Sequence, residues 1–200
     1  MRDSLIQAGY AFDPGTQTWR QPGQQDIAYN DGDAAEQQLA DLIARSGDLS
    51  VLSAELKAHI RDWHTLYHLS GQRANILRPL SAVLAGAEVL EIGAGCGAIT
   101  RYLGETAGRV LALDGTARRA AIARSRTRDL ANVEVVVDSF MAFRCERRFD
   151  IVTLIGVLEY AHVFSDAPDA AAATLRRARS LLKPGGRLVI AIENQLGLKY

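Results

Sequence analysis

The chain has 200 residues, 48% of them hydrophobic, which is long enough for one domain with a substantial core. Its 23 Lys and Arg residues balance 23 Asp and Glu residues, so no overall field attracts nucleic acid or an anionic membrane. Apolar runs stay well below the roughly 18 residues that a membrane span needs. The N-terminus lacks the pattern of a signal peptide, and Cys96 and Cys145 do not form a disulfide framework. We therefore expect a cytoplasmic protein with no membrane insertion and no nucleic-acid partner.

The first thirty residues predict a small β appendage. Short stretches of alternating character at 9–15, 16–20 and 27–29 are separated by turns that contain Pro and Gly. We expect two or three short antiparallel strands there, outside the main core.

Helices are predicted from residue 31 to residue 85. The first opens at Asp33, with Glu36 completing a capping box. Apolar spacing predicts a second helix over 53–63 and a third through 71–77. We predict that residues 1–85 form a hairpin and helical cap region.

From residue 86 the pattern changes to alternating strands and helices. Helical stretches near 98–107, 117–130 and 168–182 separate five short apolar runs, which are typical of strands covered on both faces. This alternation predicts an α/β domain over 86–200 with a Rossmann-like, doubly wound parallel sheet. The predicted strands are Val89–Ile92, Val110–Leu113, Val133–Val137, Ile151–Ile155 and Leu188–Ile192.

The first of these strands runs into a glycine-rich turn. Gly93, Gly95 and Gly97 alternate after the apolar run, and the next helix begins at Ala98. Glycine lets the backbone turn sharply and approach a bound molecule closely. The N-terminus of the following helix points at such a molecule. The pattern therefore predicts a small-molecule cradle.

Two ligand classes use such a cradle. Gly93-x-Gly95-x-x-Ala98 satisfies the dinucleotide fingerprint, and Asp114 follows Gly93 by 21 residues, where a ribose-binding acid belongs. The same stretch resembles the first motif of class I S-adenosylmethionine (SAM)-dependent methyltransferases, which has an acid two residues before the first glycine, here Glu91. A carboxylate at that point would repel a pyrophosphate, whereas it suits the ammonium and sulfonium groups of SAM. We therefore favour SAM over NAD.

Over residues 86–194 the order of motifs also resembles the class I methyltransferase fold. Each motif alone is a weak signal, but five in order at plausible spacing are specific. They are Glu91-x-Gly93-x-Gly95-x-Gly97, Val110–Asp114, Val135–Phe140, Phe149–Gly156 and Leu182–Leu188.

A narrower resemblance involves the front and the end of the chain. Tyr67–Ser70, Arg73–Pro79 and Glu193–Tyr200 are similar to bacterial methyltransferases associated with glycosyltransferases and surface-polysaccharide synthesis. This resemblance implies a saccharide acceptor and a glycosyltransferase module as a partner.

The end of the chain departs from the family pattern. Class I methyltransferases close with a helix and a hairpin, strands six and seven, whereas only eight residues follow Ile192. We expect the sheet to lack those two strands, and truncation is the favoured reason because an uncovered sheet edge promotes aggregation. A second copy of the chain could also cover that edge.

The resemblance implies a role for each cofactor-binding position. The glycine loop would lie against the methionine moiety and Glu91 near its ammonium, Asp114 would accept both ribose hydroxyls, and Asp138 would accept the adenine amino group. The predicted cofactor-binding residues are Glu91, Gly93, Ala94, Gly95, Gly97, Asp114, Gly115, Asp138, Ser139, Phe140 and Ile155.

The reaction implied is in-line transfer of a methyl group to an oxygen or nitrogen. A hydroxyl acceptor needs a base, and His162 and Glu159, just past the fourth strand, are the catalytic candidates. A plain surface role is the alternative for both.

Other features have simpler explanations. His64 and His68 have metal-ligand spacing but lack a third ligand, so packing is favoured and no metal is predicted. Tyr67 and His68 could instead lie over the cofactor as a lid. A row of arginines is assigned to a solvated helix face. These are Arg118, Arg119, Arg124, Arg126 and Arg128.

The leading interpretation is a SAM-dependent methyltransferase acting on a small-molecule or saccharide acceptor. An NAD-dependent oxidoreductase and a non-catalytic methyltransferase-like scaffold are the alternatives.

Overall fold

The computed structural model describes residues 1–24, 27, 32–165 and 167–193. In this part of the chain one mixed sheet has seven strands in the order β1-β2-β5-β4-β3-β6-β7. Neighbouring strands are parallel, except that β1 is antiparallel to β2. The strands are β1 Ala11–Asp13, β2 Thr18–Arg20, β3 Glu88–Ile92, β4 Arg109–Asp114, β5 Val133–Val137, β6 Phe149–Ile155 and β7 Leu182–Ala191.

The Rossmann-like parallel sheet is confirmed. Each of the five predicted apolar runs lies within one of the strands β3 to β7, except that Ile192 falls one residue beyond β7. The three central strands β3, β4 and β5 are buried along almost their whole length. Continuous apolar sequence identified them because both faces of the sheet are covered by helices.

The prediction that the sheet lacks two strands is wrong, because the sheet has seven strands. The two strands beyond the predicted five come from the N-terminal segment, since β2 pairs in parallel with β5 through Trp19 opposite Val136. Nor does this hairpin lie outside the core. Leu5, Tyr10 and Trp19 are buried in one hydrophobic cluster with strand residues of the sheet. Residues 28 and 29, part of a third predicted strand, lie outside the described residues.

Helices cover both faces of the sheet. One core lies between β3, β4, β5 and helices α5, α6 and α7, and the other lies between the opposite face and α1, β2 and α9. The helices are α1 Arg2–Gln7, α2 Asp33–Arg45, α3 Ala54–Lys57, α4 Trp63–Leu69, α5 Ser81–Leu84, α6 Ala98–Thr106, α7 Ala117–Arg126, α8 Ala161–Phe164 and α9 Ala170–Ser180, with 3-10 turns at Gly71–Ile76, Arg78–Leu80 and Leu158–Tyr160.

The cap helices differ from their predicted form. The helix predicted over 53–63 is only the four-residue α3, and the third predicted helix is a pair of 3-10 turns. The capping box at Asp33 is also wrong: Gly32 is the N-cap, and the Glu36 side chain turns inward. Its Oε1 accepts a hydrogen bond of 2.8 Å from Nε of Arg119, so a tertiary ion pair replaces the local cap.

The sequence suggested that the arginines of α7 and the loop after it form a solvated face, but Arg119 and Arg126 are buried. Arg126 is 2% exposed and donates to the backbone carbonyl of His68 in α4. Arg119 binds Glu36 in α2, and Arg128 donates to the carbonyl of Ile43 at 2.9 Å. The arginines therefore attach the cap helices to the sheet domain.

No helix in the described part of the chain has the length and apolar character needed to cross a membrane.

Gly97 is required where α6 meets α7. Its φ is +82°, and a Cβ there would lie 2.8 Å from Cα of Ala123. We expect Gly97→Ala to lower the free energy of unfolding by about 2–4 kcal/mol, because a left-handed backbone and a backbone clash both oppose the side chain. Gly86→Ala is the control: its φ is +77°, but no atom lies within 4 Å of the new Cβ. Equal losses in chemical denaturation would show that the contact with Ala123 is unimportant.

Candidate functional site

A cavity of about 640 Å³ opens at the carboxyl ends of the parallel strands. This is the edge where open α/β sheets bind ligands, and the volume suits a small molecule or cofactor. One wall is formed by the glycine loop and the ends of β3, β4, β6 and β7. The facing wall is formed by α4 and the 3-10 turn that follows it.

The glycine loop is held against the end of β4. The amides of Gly93 and Ala94 both donate to the carbonyl of Leu113, at 2.8 and 2.9 Å. Gly93 has φ of +76°, and a Cβ there would lie 2.4 Å from Cγ2 of Val157. Only glycine therefore lets the loop lie this close to the β6 end of the cavity.

Asp114 is buried at the end of β4 with a fixed orientation. Its Oδ2 accepts from the amide of Gly95 at 2.7 Å, and its Oδ1 accepts from the amide of Thr116 at 2.9 Å. Burial raises its pKa to about 6, although these two hydrogen bonds act in the opposite direction. Each carboxylate oxygen can accept a second hydrogen bond, so Asp114 can still bind a pair of hydroxyl groups.

Glu91 is the second buried acid of the cavity. It is 3% exposed, and its Oε2 makes no hydrogen bond within the described residues. Burial raises its pKa to about 7; the Asp114 carboxylate adds to this rise and the Arg73 guanidinium opposes it. A buried carboxylate oxygen without a donor fits a cationic ligand group such as an ammonium.

Asp138 follows β5 and also lines the cavity. Its Oδ2 accepts a hydrogen bond from the Tyr10 hydroxyl, and its Oδ1 accepts one from the side-chain amide of Gln24. Phe140 lines the cavity next to it. Ser139, which the sequence also predicted, does not line the cavity. Its carbonyl accepts hydrogen bonds from backbone amides of the turn that follows.

The remaining predicted residues fall into two groups. Ala94, Gly95, Gly115 and Ile155 line the cavity. Gly97 does not line it, because it faces α7 instead.

Of the two catalytic candidates, only Glu159 lies at the cavity. Glu159 lines the cavity, and its Oε2 is buried without a hydrogen-bond partner among the described residues. A Cβ on Gly156 would lie 3.9 Å from Oε1 of Glu159 and 3.6 Å from the Tyr67 hydroxyl, so both side chains approach the same point. His162 is exposed on α8, outside the cavity lining, because that helix turns it toward solvent.

Sequence reasoning missed several residues of the facing wall. Arg73 lines the cavity, and its guanidinium carbon lies 3.7 Å from the centroid of the Tyr67 ring. Trp63 and His64 also line the cavity, together with Tyr67 and His68, the residues of the lid hypothesis. The sequence signal that could have identified this wall was the spacing of aromatic residues within 63–68, but the same spacing is equally typical of core packing.

The two histidines of α4 pack against each other, with ring centroids 4.6 Å apart. No group of three or more His, Cys, Asp or Glu side chains among the described residues is arranged to hold a metal ion.

Known proteins resemble the region that forms the sheet side of this cavity. Residues 90–188 match the model of a family described as a methyltransferase domain. This region is therefore similar to SAM-dependent methyltransferase domains, as the sequence motifs predicted, and SAM is the cofactor of such domains. The matches give no support to an NAD-dependent oxidoreductase.

Two curated relatives are named for quinone biosynthesis. Demethylmenaquinone methyltransferase of Tropheryma whipplei (strain Twist) is 33% identical over 109 residues, which is 54% of this chain and 42% of that protein. Ubiquinone biosynthesis O-methyltransferase of Xanthomonas euvesicatoria pv. vesicatoria (strain 85-10) is 32% identical over 115 residues, 56% of this chain and 45% of that protein. The match thus spans less than half the length of these relatives.

A solved structure, the complex of DhpI with S-adenosylhomocysteine (SAH), is similar in fold. It is 28% identical, has a TM-score of 0.53, and the match covers 78% of this chain and 67% of that one.

The burial of Glu91 predicts an unusual pH dependence of stability. Its folded-state pKa of about 7 lies above the ordinary 4.5, so the folded protein binds more protons than the unfolded chain between these values. The stabilising contribution of protonated Glu91 is therefore fully present below about pH 4.5 and is lost as the pH rises through 7. Relative to Glu91→Gln, we expect wild type to lose on the order of 3 kcal/mol of unfolding free energy between pH 4.5 and 8.

Glu88→Gln on the same strand is the control for this urea denaturation series. The pKa of Glu88 lies below 4.5: burial would raise it, but Lys183 and Arg147 outweigh that effect. Its contribution is lost only as the pH falls below about 4.5, so the difference from wild type should stay flat from pH 5 to 8. A flat Glu91→Gln series would contradict the assignment.

Proposed function

We propose that this protein transfers a methyl group from SAM to a hydroxyl oxygen of a small molecule that carries an aromatic ring. The observation that supports it most is the pair of buried carboxylates, Glu91 and Asp114, on either side of a glycine loop at the carboxyl ends of two adjacent strands. One acid has an oxygen without a donor, and the other is oriented by two backbone amides. This donor set fits the ammonium and ribose groups of SAM.

The cavity also offers a partner for a carboxylate. Arg73 lines it, and its guanidinium is near enough to Glu91 to lower the pKa of that acid. Stacking on the Tyr67 ring holds the guanidinium plane in place. We infer that Arg73 binds the carboxylate of the methionine moiety while Glu91 binds its ammonium, so that the two charges of the amino acid end are separately matched.

When bound, SAM supplies an electrophilic methyl group on a sulfonium leaving group. The residues of this chain have to orient an acceptor and take its proton. Glu159 is the base we assign, because its carboxylate reaches the cavity beside Gly156 and has an oxygen free of hydrogen bonds in the described structure. The acceptor hydroxyl would give its proton to Glu159 as its oxygen forms the bond to the methyl carbon.

Aromatic side chains support a ring-bearing acceptor. Trp63, Tyr67 and Tyr160 line the cavity, and Trp63 and Tyr160 are 63% and 41% exposed, which places them at its mouth. Aromatic faces bind flat rings by offset stacking. The quinone-related names of the two curated relatives agree with this acceptor class. A saccharide acceptor and a glycosyltransferase partner, implied by the narrower sequence resemblance, stay predictions.

The cofactor assignment is tested by titration calorimetry of this chain with S-adenosylhomocysteine (SAH) and with NAD. We expect SAH to bind and NAD not to bind. Asp114→Ala should weaken SAH binding about 10- to 100-fold, because ribose hydroxyls lose a charged acceptor. Asp129→Ala removes an acid that pairs with Arg101 away from the cavity, and it should leave SAH affinity unchanged. Binding of NAD in place of SAH would overturn the proposal, and SAH binding without turnover of any acceptor would favour the scaffold alternative.

The base is tested on acceptors found by screening phenols, catechols and saccharides for SAM-dependent SAH release. Glu159→Gln should lower the methylation rate of a phenolic acceptor by about 10²- to 10⁴-fold at unchanged SAH affinity. His162→Gln should stay within about twofold of wild type, because His162 lies outside the cavity. The reverse pattern would restore His162 as the base, and turnover of saccharides alone would reject the aromatic acceptor.

A further inference from the structure

The N-terminal hairpin is bound to an acid of the cavity. Both oxygens of Asp138 accept hydrogen bonds from the first 24 residues, one from the Tyr10 hydroxyl and one from the Gln24 amide. Asp138 is itself 2% exposed, and its backbone amide donates to the carbonyl of Asp114 at 2.9 Å. The carboxylate therefore has a fixed position that the sheet domain alone does not provide.

The fold holds the hairpin and its Tyr10 donor against the end of β5. Strand β2 pairs with β5, and its last residue, Arg20, lies opposite Val137, next to Asp138. The Tyr10 ring is 3% exposed and packs against Phe143, with centroids 6.0 Å apart. Burial and the nearby Asp138 raise the Tyr10 pKa, so its hydroxyl keeps its proton and donates.

The segment meets the cavity wall at a second point. The amide of Ile27 donates to the carbonyl of Gly115 at 3.1 Å, and a Cβ on Gly115 would lie 2.3 Å from Cδ1 of Ile27. Ile27 itself lines the cavity. Gly115 follows Asp114, so the N-terminal residues contact both the β4 and the β5 side of the site.

We propose that Tyr10 and Gln24 are positioning residues for adenine recognition, which hold Asp138 so that its carboxylate accepts the 6-amino group of the adenine ring. This inference rests on the proposed function. Each Asp138 oxygen has a second lone pair after its protein hydrogen bond, so acceptor capacity remains. A carboxylate held by two donors loses no rotational freedom when the base binds, whereas an untethered one would.

The test uses a ligand pair that differs at one group. SAH carries a 6-amino purine, whereas S-inosylhomocysteine carries a 6-oxo group that accepts where Asp138 needs a donor. We expect calorimetry of the wild-type chain to give at least about tenfold preference for SAH. Tyr10→Phe keeps the packed ring and should weaken SAH binding about tenfold. The inosine analogue should change less than about twofold, so that the preference is lost.

Trp19→Phe is the matched control. Trp19 anchors the same hairpin to the same strand through a 2.8 Å hydrogen bond from Nε1 to Oε2 of Glu134. This contact lies at the other end of β5, away from Asp138. The variant removes this hydrogen bond and keeps an aromatic ring, and we expect it to keep the preference for SAH.

Several outcomes decide the proposal. Equal weakening of both ligands by Tyr10→Phe, or loss of preference in Trp19→Phe as well, would show that the hairpin acts only through general stability. If Tyr10→Phe fails to fold, Gln24→Leu removes the other donor and gives the same readout. Asp138→Asn should abolish the preference, and adding Tyr10→Phe to it should have no further effect. Failure of the wild-type chain to bind SAH would refute the proposed function instead.

Discussion

A buried cation joins the two walls of the cavity. Arg126, at the end of α7, reaches under α4 and donates to the carbonyl of His68, while α7 itself starts directly after the strand that ends in Asp114. One helix thus begins near the buried acid Asp114 and ends beneath the wall that carries Tyr67 and Arg73. Burial lowers the pKa of Arg126 to about 10, so the guanidinium stays charged at neutral pH. The acceptor is a backbone carbonyl, and the planar guanidinium of Arg126 gives this charge-assisted hydrogen bond a defined direction.

The overall charge of the chain is zero, but the cavity has a concentrated local charge pattern. Two acids with raised pKa values lie at adjacent strand ends, and the charge of Arg73 lowers the pKa of Glu91 while that of Arg119 lowers the pKa of Asp114. The acid pair lowers stability in the folded protein without a ligand, since burial and mutual repulsion both disfavour the charged forms. A ligand that brings a cation relieves this penalty. Stability without a ligand is thereby exchanged for binding strength, which is common at functional sites.

The sequence predicted what depends on local pattern and missed what depends on distant contacts. Strands β3 to β7 were identified because they are apolar on both faces, and the glycine loop because its φ angles require Gly93. The same reasoning could not show that Glu36 would pair with Arg119 rather than cap its own helix, or that Arg126 would be buried, because both partners lie more than 50 residues away. Gly97 had the right spacing for a cofactor contact, yet a packing contact with Ala123 explains it. Tyr10 carried no sequence signal at all, since its partner follows β5.

The pairing of β2 with β5 also has a consequence for how the protein is made. Trp19 lies opposite Val136, so this ladder closes a loop of more than a hundred residues and adds strongly to the contact order of the fold. During synthesis the hairpin leaves the ribosome before the strands of the sheet that it joins, and this edge does not exist until β5 has followed β3 and β4. Chain closure of this kind is entropically slow, so docking of the hairpin is a late event in folding. The Asp138 end of the cavity is therefore assembled after the glycine loop, and a nascent chain already has one part of the cavity before the earlier hairpin segment completes the rest.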